Sequence, residues 1–125
     1  MERLPMKNAL VIPLIAISAC AQSAPPSPSA RPCDLTVSFG SYAMGIDRPA
    51  LAAVRAILAD RVVRSIEERH QGREGELVLC ARTRRPADAE RLFHRIRSAL
   101  PTAPRGPIRV HSASGLRFDA PPQRR

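Results

Sequence analysis

The stretch Ala21-Gln22-Ser23-Ala24-Pro25-Pro26-Ser27-Pro28-Ser29-Ala30-Arg31-Pro32 holds four prolines and three serines and no large apolar side chain. A segment of this composition has nothing to bury and stays extended and solvated. It therefore divides the chain, and whatever can form a core lies after it. At the far end, residues 119–125 finish as Pro121-Pro122-Gln123-Arg124-Arg125 and are expected to be a disordered basic tail. That leaves residues 33–118, about 85 positions, for one small α+β domain. A domain of that size buries only about 60–65% of its unfolded surface, so a covalent cross-link would supply a large share of its stability.

The segment before the divide reads as processing information. Arg3 and Lys7 stand against one Glu2, and Ala9 to Ala19 is an uncharged, mostly aliphatic run interrupted by Pro13. The run is about half the roughly 20 residues that a spanning helix needs, but it fits a secretory signal peptide: a cationic start, a short apolar run, then small residues. Translation from Met6 would keep both the cationic start and the run, so the two starts are equivalent on this reading.

The run closes on Ile17-Ser18-Ala19-Cys20. This resembles the lipobox of bacterial lipoproteins, in which an aliphatic residue and two small residues precede a cysteine. The resemblance covers residues 1 to about 21. It implies that the Cys20 thiol receives a diacylglyceryl group, that cleavage falls just before it, and that the new amino terminus is acylated too. Residues 1–19 are then a lipoprotein signal peptide, and residues 20–32 a lipidated cysteine with its tether. Two or three chains give stable anchoring, since burial contributes about 0.8 kcal/mol per methylene and one chain binds only marginally. The implied address is the bacterial cell envelope, lipid-anchored on the periplasmic side. Ala21 is not the Asp that tends to retain such proteins at the inner membrane, which favours the outer membrane in a diderm cell. The competing reading is an ordinary secreted protein cleaved after Ala19 or Ala24.

Within the domain, Leu35, Val37 and Phe39 alternate with Asp34, Thr36 and Ser38, the pattern of a half-buried strand. Asp47 and Pro49 then suit a helix start, and Leu51, Val54, Ile57 and Leu58 follow at helical spacing. Residues 61–71 fit two readings. Val54, Leu58, Val62 and Ile66 keep a four-residue step that would prolong the helix to a stop at Gly72. Alternatively Val62-Val63 and Ile66 begin a strand that turns at Gly72-Arg73-Glu74-Gly75 and returns through residues 76–83.

The remaining cysteines bear on that choice. With Cys20 lipidated and the chain exported to an oxidising compartment, Cys33 and Cys80 are expected to pair. If residues 61–71 are a strand, the first and third strands lie antiparallel side by side. The two cysteines then meet at one edge, within the roughly 4.4–6.8 Å between Cα atoms that a disulfide requires. If the helix runs on, the cysteines fall towards opposite ends. The strand reading is therefore favoured. Pro86 to Leu100 forms the second helix, with Ala89, Leu92, Phe93, Ile96 and Leu100 as its apolar stripe. Residues 108–111 form a last strand, which Gly115 would turn into a short hairpin with Leu116-Arg117-Phe118. The sum resembles a small ferredoxin-like βαββαβ sandwich, the alternative being βαβαβ with a long first helix. Such a fold carries no function with it.

The chain has a formal net charge of +9, and Lys7 is its one lysine. Aromatic residues make up 3%, which removes the stacking platforms that single-stranded nucleic-acid binders use, so nucleic acid is not expected as a partner. His70, His94 and His111 stand at no metal-ligand spacing, and there is no Gly-x-Ser-x-Gly elbow or glycine-rich phosphate loop. No catalytic residue, cofactor or metal is therefore expected. The most pointed cluster is Arg82, Arg84 and Arg85, with Arg91 and Arg95 beyond them on one helix face. It reads either as a solubilising face or as a patch for lipid phosphates or another anionic envelope component. The expected function is that of a membrane-anchored envelope lipoprotein with a non-enzymatic binding domain for an envelope protein or such an anionic component. Its rivals are a small periplasmic enzyme or thiol-redox protein, and a structural spacer or assembly subunit.

Overall fold

The computed structural model describes residues 32–122. The expected signal peptide, Cys20, the tether up to residue 31 and the tail residues 123–125 lie outside the described residues. The fold is α+β, with two helices and a five-stranded antiparallel sheet. In chain order the elements are β1 (Leu35–Phe39), α1 (Arg48–Leu58), β2 (Val63–Gln71), β3 (Glu76–Thr83), α2 (Pro86–Ala99), β4 (Ile108–Ser112) and β5 (Arg117–Ala120). Across the sheet the strands run β2-β3-β1-β4-β5.

β1 sits at the centre because every second side chain is large and apolar. Leu35, Val37 and Phe39 are buried at register positions facing Ala81, Leu79 and Leu77 on one side, and Ser112, Val110 and Ile108 on the other. Both helices pack on that face. Val54 and Leu58 of α1 and Leu92, Phe93 and Ile96 of α2 join these strands in one core cluster. Asp47 caps α1 by accepting the Ala50 amide at 3.0 Å, and its other carboxylate oxygen accepts the Arg105 amide at 3.0 Å. One side chain thus ties the helix start to the loop before β4.

The open segment 61–71 is resolved as strand, and the long-first-helix alternative falls. α1 ends at Leu58 because Asp60 supplies a competing turn. Its side chain accepts the Val62 amide at 3.1 Å and its carbonyl accepts the Val63 amide at 3.1 Å. The β-branched pair Val62-Val63 then enters the sheet, Val63 opposite Thr83. A register irregularity between Val63 and Ser65 marks the entry.

β1 and β3 pair antiparallel, and Cys33 and Cys80 form a disulfide with Cα atoms 5.3 Å apart. Cys80 points away from the helices, since its neighbours Leu79 and Ala81 face the core. Across a separation of 47 residues, such a link contributes on the order of 4 kcal/mol by loop-entropy reasoning. At the C-terminal side β5 extends to Ala120, past the boundary at 118 read from the sequence. Ala120 is small enough to be buried opposite Ile108, so Asp119 and Ala120 belong to the sheet rather than to a tail.

Candidate functional site

The sheet has two ends, defined by its registers. Leu35, Ala81 and Ser112 lie at one, and Phe39, Leu77 and Ile108 at the other. The first of these gathers the arginines. Arg84 follows β3, and its amide donates to the Val62 carbonyl at 2.9 Å, which sets it across from the start of β2. Arg61 and Arg64 flank the pair Val62-Val63 and are exposed, as is Arg84. None of the three has an ion-pair partner among the described residues.

Hydrogen bonds fix the backbone that carries this group. The Thr83 amide donates to the Asp34 carboxylate at 2.8 Å, and the Thr83 hydroxyl donates to the Arg85 carbonyl at 2.8 Å. The start of β1, the end of β3 and the lead into α2 are therefore held together. Arg85 and Arg91 both approach Asp88, a carboxylate only 1% exposed, with guanidinium nitrogens at 3.2 and 3.7 Å. The hydrogen bonds that the Arg85 guanidinium donates to the Asp88 carboxylate hold the Arg85 pKa above its ordinary value. Two exposed cations thus share one buried anion, leaving a surplus positive charge at the first turn of α2. Arg95 bonds Asp60 at 3.0 Å. The Val62 amide, with Arg95 beside it, holds the Asp60 carboxyl below the usual carboxylate range.

The sequence cluster is thus partly regrouped. Arg84, Arg85, Arg91 and Arg95 lie around this end, but Arg82 does not join them. It alternates with Ala81 and Thr83, so it points to the face of the sheet away from the helices, where its side chain is 15% exposed and 3.6 Å from Glu67. Arg61 and Arg64 were missed, because their place beside Arg84 exists only once residues 63–71 form a strand. The pair Val62-Val63 was the signal that could have found them.

The opposite end differs in character. A groove of about 510 Å³ lies there, lined by residues including Ser38, Gln71, Glu76, Val78 and Arg109. Beside it the loop after β1 exposes Tyr42 and Met44, the latter 92% exposed. The Ser41 hydroxyl shapes this loop by accepting the amides of Ala43 and Gly45 at 3.0 and 2.9 Å.

Among the described residues no group of three His, Cys, Asp or Glu side chains is placed to hold a metal ion. His70 and His94 are exposed, and His94 meets Phe93 edge-on with ring centroids 5.4 Å apart. Cys33 and Cys80 are joined to each other, and Cys80 is 8% exposed. No helix among the described residues is long and apolar enough to cross a membrane. Comparison with known proteins yields no match to a family model, a curated protein or a solved structure.

Proposed function

We propose that the chain is a lipid-anchored lipoprotein of the bacterial cell envelope whose domain is a non-enzymatic module that binds an anionic envelope component through its arginines. The observation that carries this reading is the disulfide. The chain has three cysteines, and the Cys33–Cys80 bond accounts for two of them in a form that persists in oxidising compartments. Cys20 is the remaining one, and it stands where the lipobox resemblance places the acylated residue. The same bond weighs against a thiol-redox enzyme, because a nucleophilic thiolate has to be free and accessible. The proposed address is the periplasmic side of the envelope, at the outer membrane in a diderm cell.

The finer fold reading belongs to this proposal as well. Four strands in the order β2-β3-β1-β4 with two helices on one face support a ferredoxin-like arrangement, to which β5 adds an edge strand.

Fractionation of cells expressing the wild type and Cys20→Ala tests the anchor. The wild type is expected in the membrane fraction and to resist extraction by high salt, while Cys20→Ala loses its acyl chains. A wild type released as soluble protein would refute the reading.

A further inference from the structure

We propose that the arginine end of the domain docks on the anionic phospholipid headgroups of the same bilayer to which the N-terminal segment is anchored. The proposal rests on the lipoprotein reading and adds to it an orientation and a partner. Two independent features converge on that end of the fold.

One is where the chain arrives. The Asp34 amide donates to the Ala81 carbonyl at 3.0 Å and the Asp34 carbonyl accepts the Ala113 amide at 2.9 Å, so Pro32 and Cys33 lie at the Leu35 end of the sheet. The segment leading back to Cys20 therefore departs from this end. Fully extended, twelve residues of proline-rich chain reach roughly 40 Å, so the domain cannot leave the neighbourhood of its anchor. Tethering raises the effective concentration of the headgroups, and little intrinsic affinity is then needed.

The other feature is how charge divides between the two ends. The connections at the Leu35 end (residues 32–34, 59–64, 84–85 and 113–116) carry Arg61, Arg64, Arg84 and Arg85 against Asp34 and Asp60. Asp34 is engaged with the Thr83 amide and Asp60 with Arg95, which leaves Arg61, Arg64 and Arg84 exposed and unpaired among the described residues. At the opposite end, residues 40–48, 72–76 and 100–107 carry Arg48, Arg73 and Arg105 against Asp47, Glu74 and Glu76, which balance within the described residues, while Arg124 and Arg125 follow Ala120 outside them. An anionic surface, whose field reaches about a Debye length, attracts the exposed arginines of the Leu35 end, which is also the end from which the tether leaves. With that end down, the groove and the Tyr42–Met44 loop face away from the bilayer and stay accessible.

Amide hydrogen exchange on the purified lipidated protein tests the orientation. The protein is reconstituted into vesicles of phosphatidylethanolamine with phosphatidylglycerol, or of phosphatidylethanolamine with phosphatidylcholine. In the anionic vesicles, residues 61–64 and 84–85 are expected to exchange roughly ten-fold more slowly than in the zwitterionic ones, with the difference removed by raised salt. The triple variant Arg61→Glu, Arg64→Glu, Arg84→Glu should lose this protection. The variant Arg48→Glu, Arg73→Glu, Arg105→Glu, with the same change in net charge at the other end, should keep it. Equal exchange in both vesicles, protection centred on residues 40–46, or equal loss in the two triple variants would each overturn the proposal. Protection in which vesicles containing a different anionic lipid cannot replace phosphatidylglycerol would also overturn it, since the proposed attraction is to charge. Failure of the anchor reading shows separately, as wild-type protein in the soluble fraction, and removes the proposal with it.

Discussion

β1 and β2 belong to one sheet and differ in almost every other respect. β1 is five residues long, lies between two partners, and buries Leu35, Val37 and Phe39. β2 is nine residues long, pairs among the described residues with β3 alone, and is exposed along most of its length, Ile66 being 45% exposed. The lesson is a division of labour: stability is concentrated in the centre, where the disulfide also acts, while the margin where β2 begins is free to carry unpaired charge. Burial holds β1 in place, whereas β2 is held by its ladder to β3 and by surface ion pairs such as Arg55–Glu68.

The first way to break this contrast is to remove the central cross-link. Cys33→Ala with Cys80→Ala should cost on the order of 4 kcal/mol, read from the shift in denaturant midpoint at constant slope. A change of less than about 1 kcal/mol would mean that the core alone sustains the fold. Truncation at the buried start of β1 comes next. Leu35→Ala should cost about 2–5 kcal/mol, because the site is fully enclosed and cannot collapse. Ile66→Ala, the matching cut on β2, should cost less than about 1 kcal/mol. Equal losses at the two positions would erase the distinction between centre and margin.

Legibility in the sequence follows the same line. β1, α2 and the helix start at Asp47 could be read directly, because burial on one face imposes alternation or a helical stripe. β2 could not, because an edge strand with two wet faces has no such pattern. Val63-Arg64-Ser65-Ile66-Glu67-Glu68 shows neither period, and the four-residue step from Val54 to Ile66 imitates a helix. The cysteine pair favoured the strand from a distance, since adjacent antiparallel first and third strands bring Cys33 to Cys80. The site was half-legible for the same reason. Arg84, Arg85 and Arg91 are neighbours along the chain, whereas Arg61 and Arg64 join them only through β2–β3 pairing. Arg82, read with them along the chain, is turned by strand alternation to the other face of the sheet, beside Glu67.

At the margin itself, the Arg61→Glu, Arg64→Glu, Arg84→Glu variant should change stability by no more than about 0.5 kcal/mol, all three side chains being exposed. A loss as large as that of Leu35→Ala would show that these arginines hold the fold rather than serve a partner. The smallest effect concerns Asp60. Its folded-state pKa lies below the ordinary carboxylate value, so its contribution is complete above that ordinary value and is lost as pH falls through the lower folded-state one. Asp60→Asn should therefore lose less stability than the wild type as the pH is lowered from neutrality through the carboxylate range. Parallel pH profiles for the two proteins would remove Asp60 from the support of this end.

The central claim is that this domain is delivered to the envelope on a lipid attached at Cys20, and the intact mass of the protein purified from its native membrane tests it most directly. The account predicts a chain that begins at Cys20, carries the added mass of two or three acyl chains, and retains the Cys33–Cys80 bond. A chain that begins at another residue, or a Cys20 with a free thiol, would contradict it.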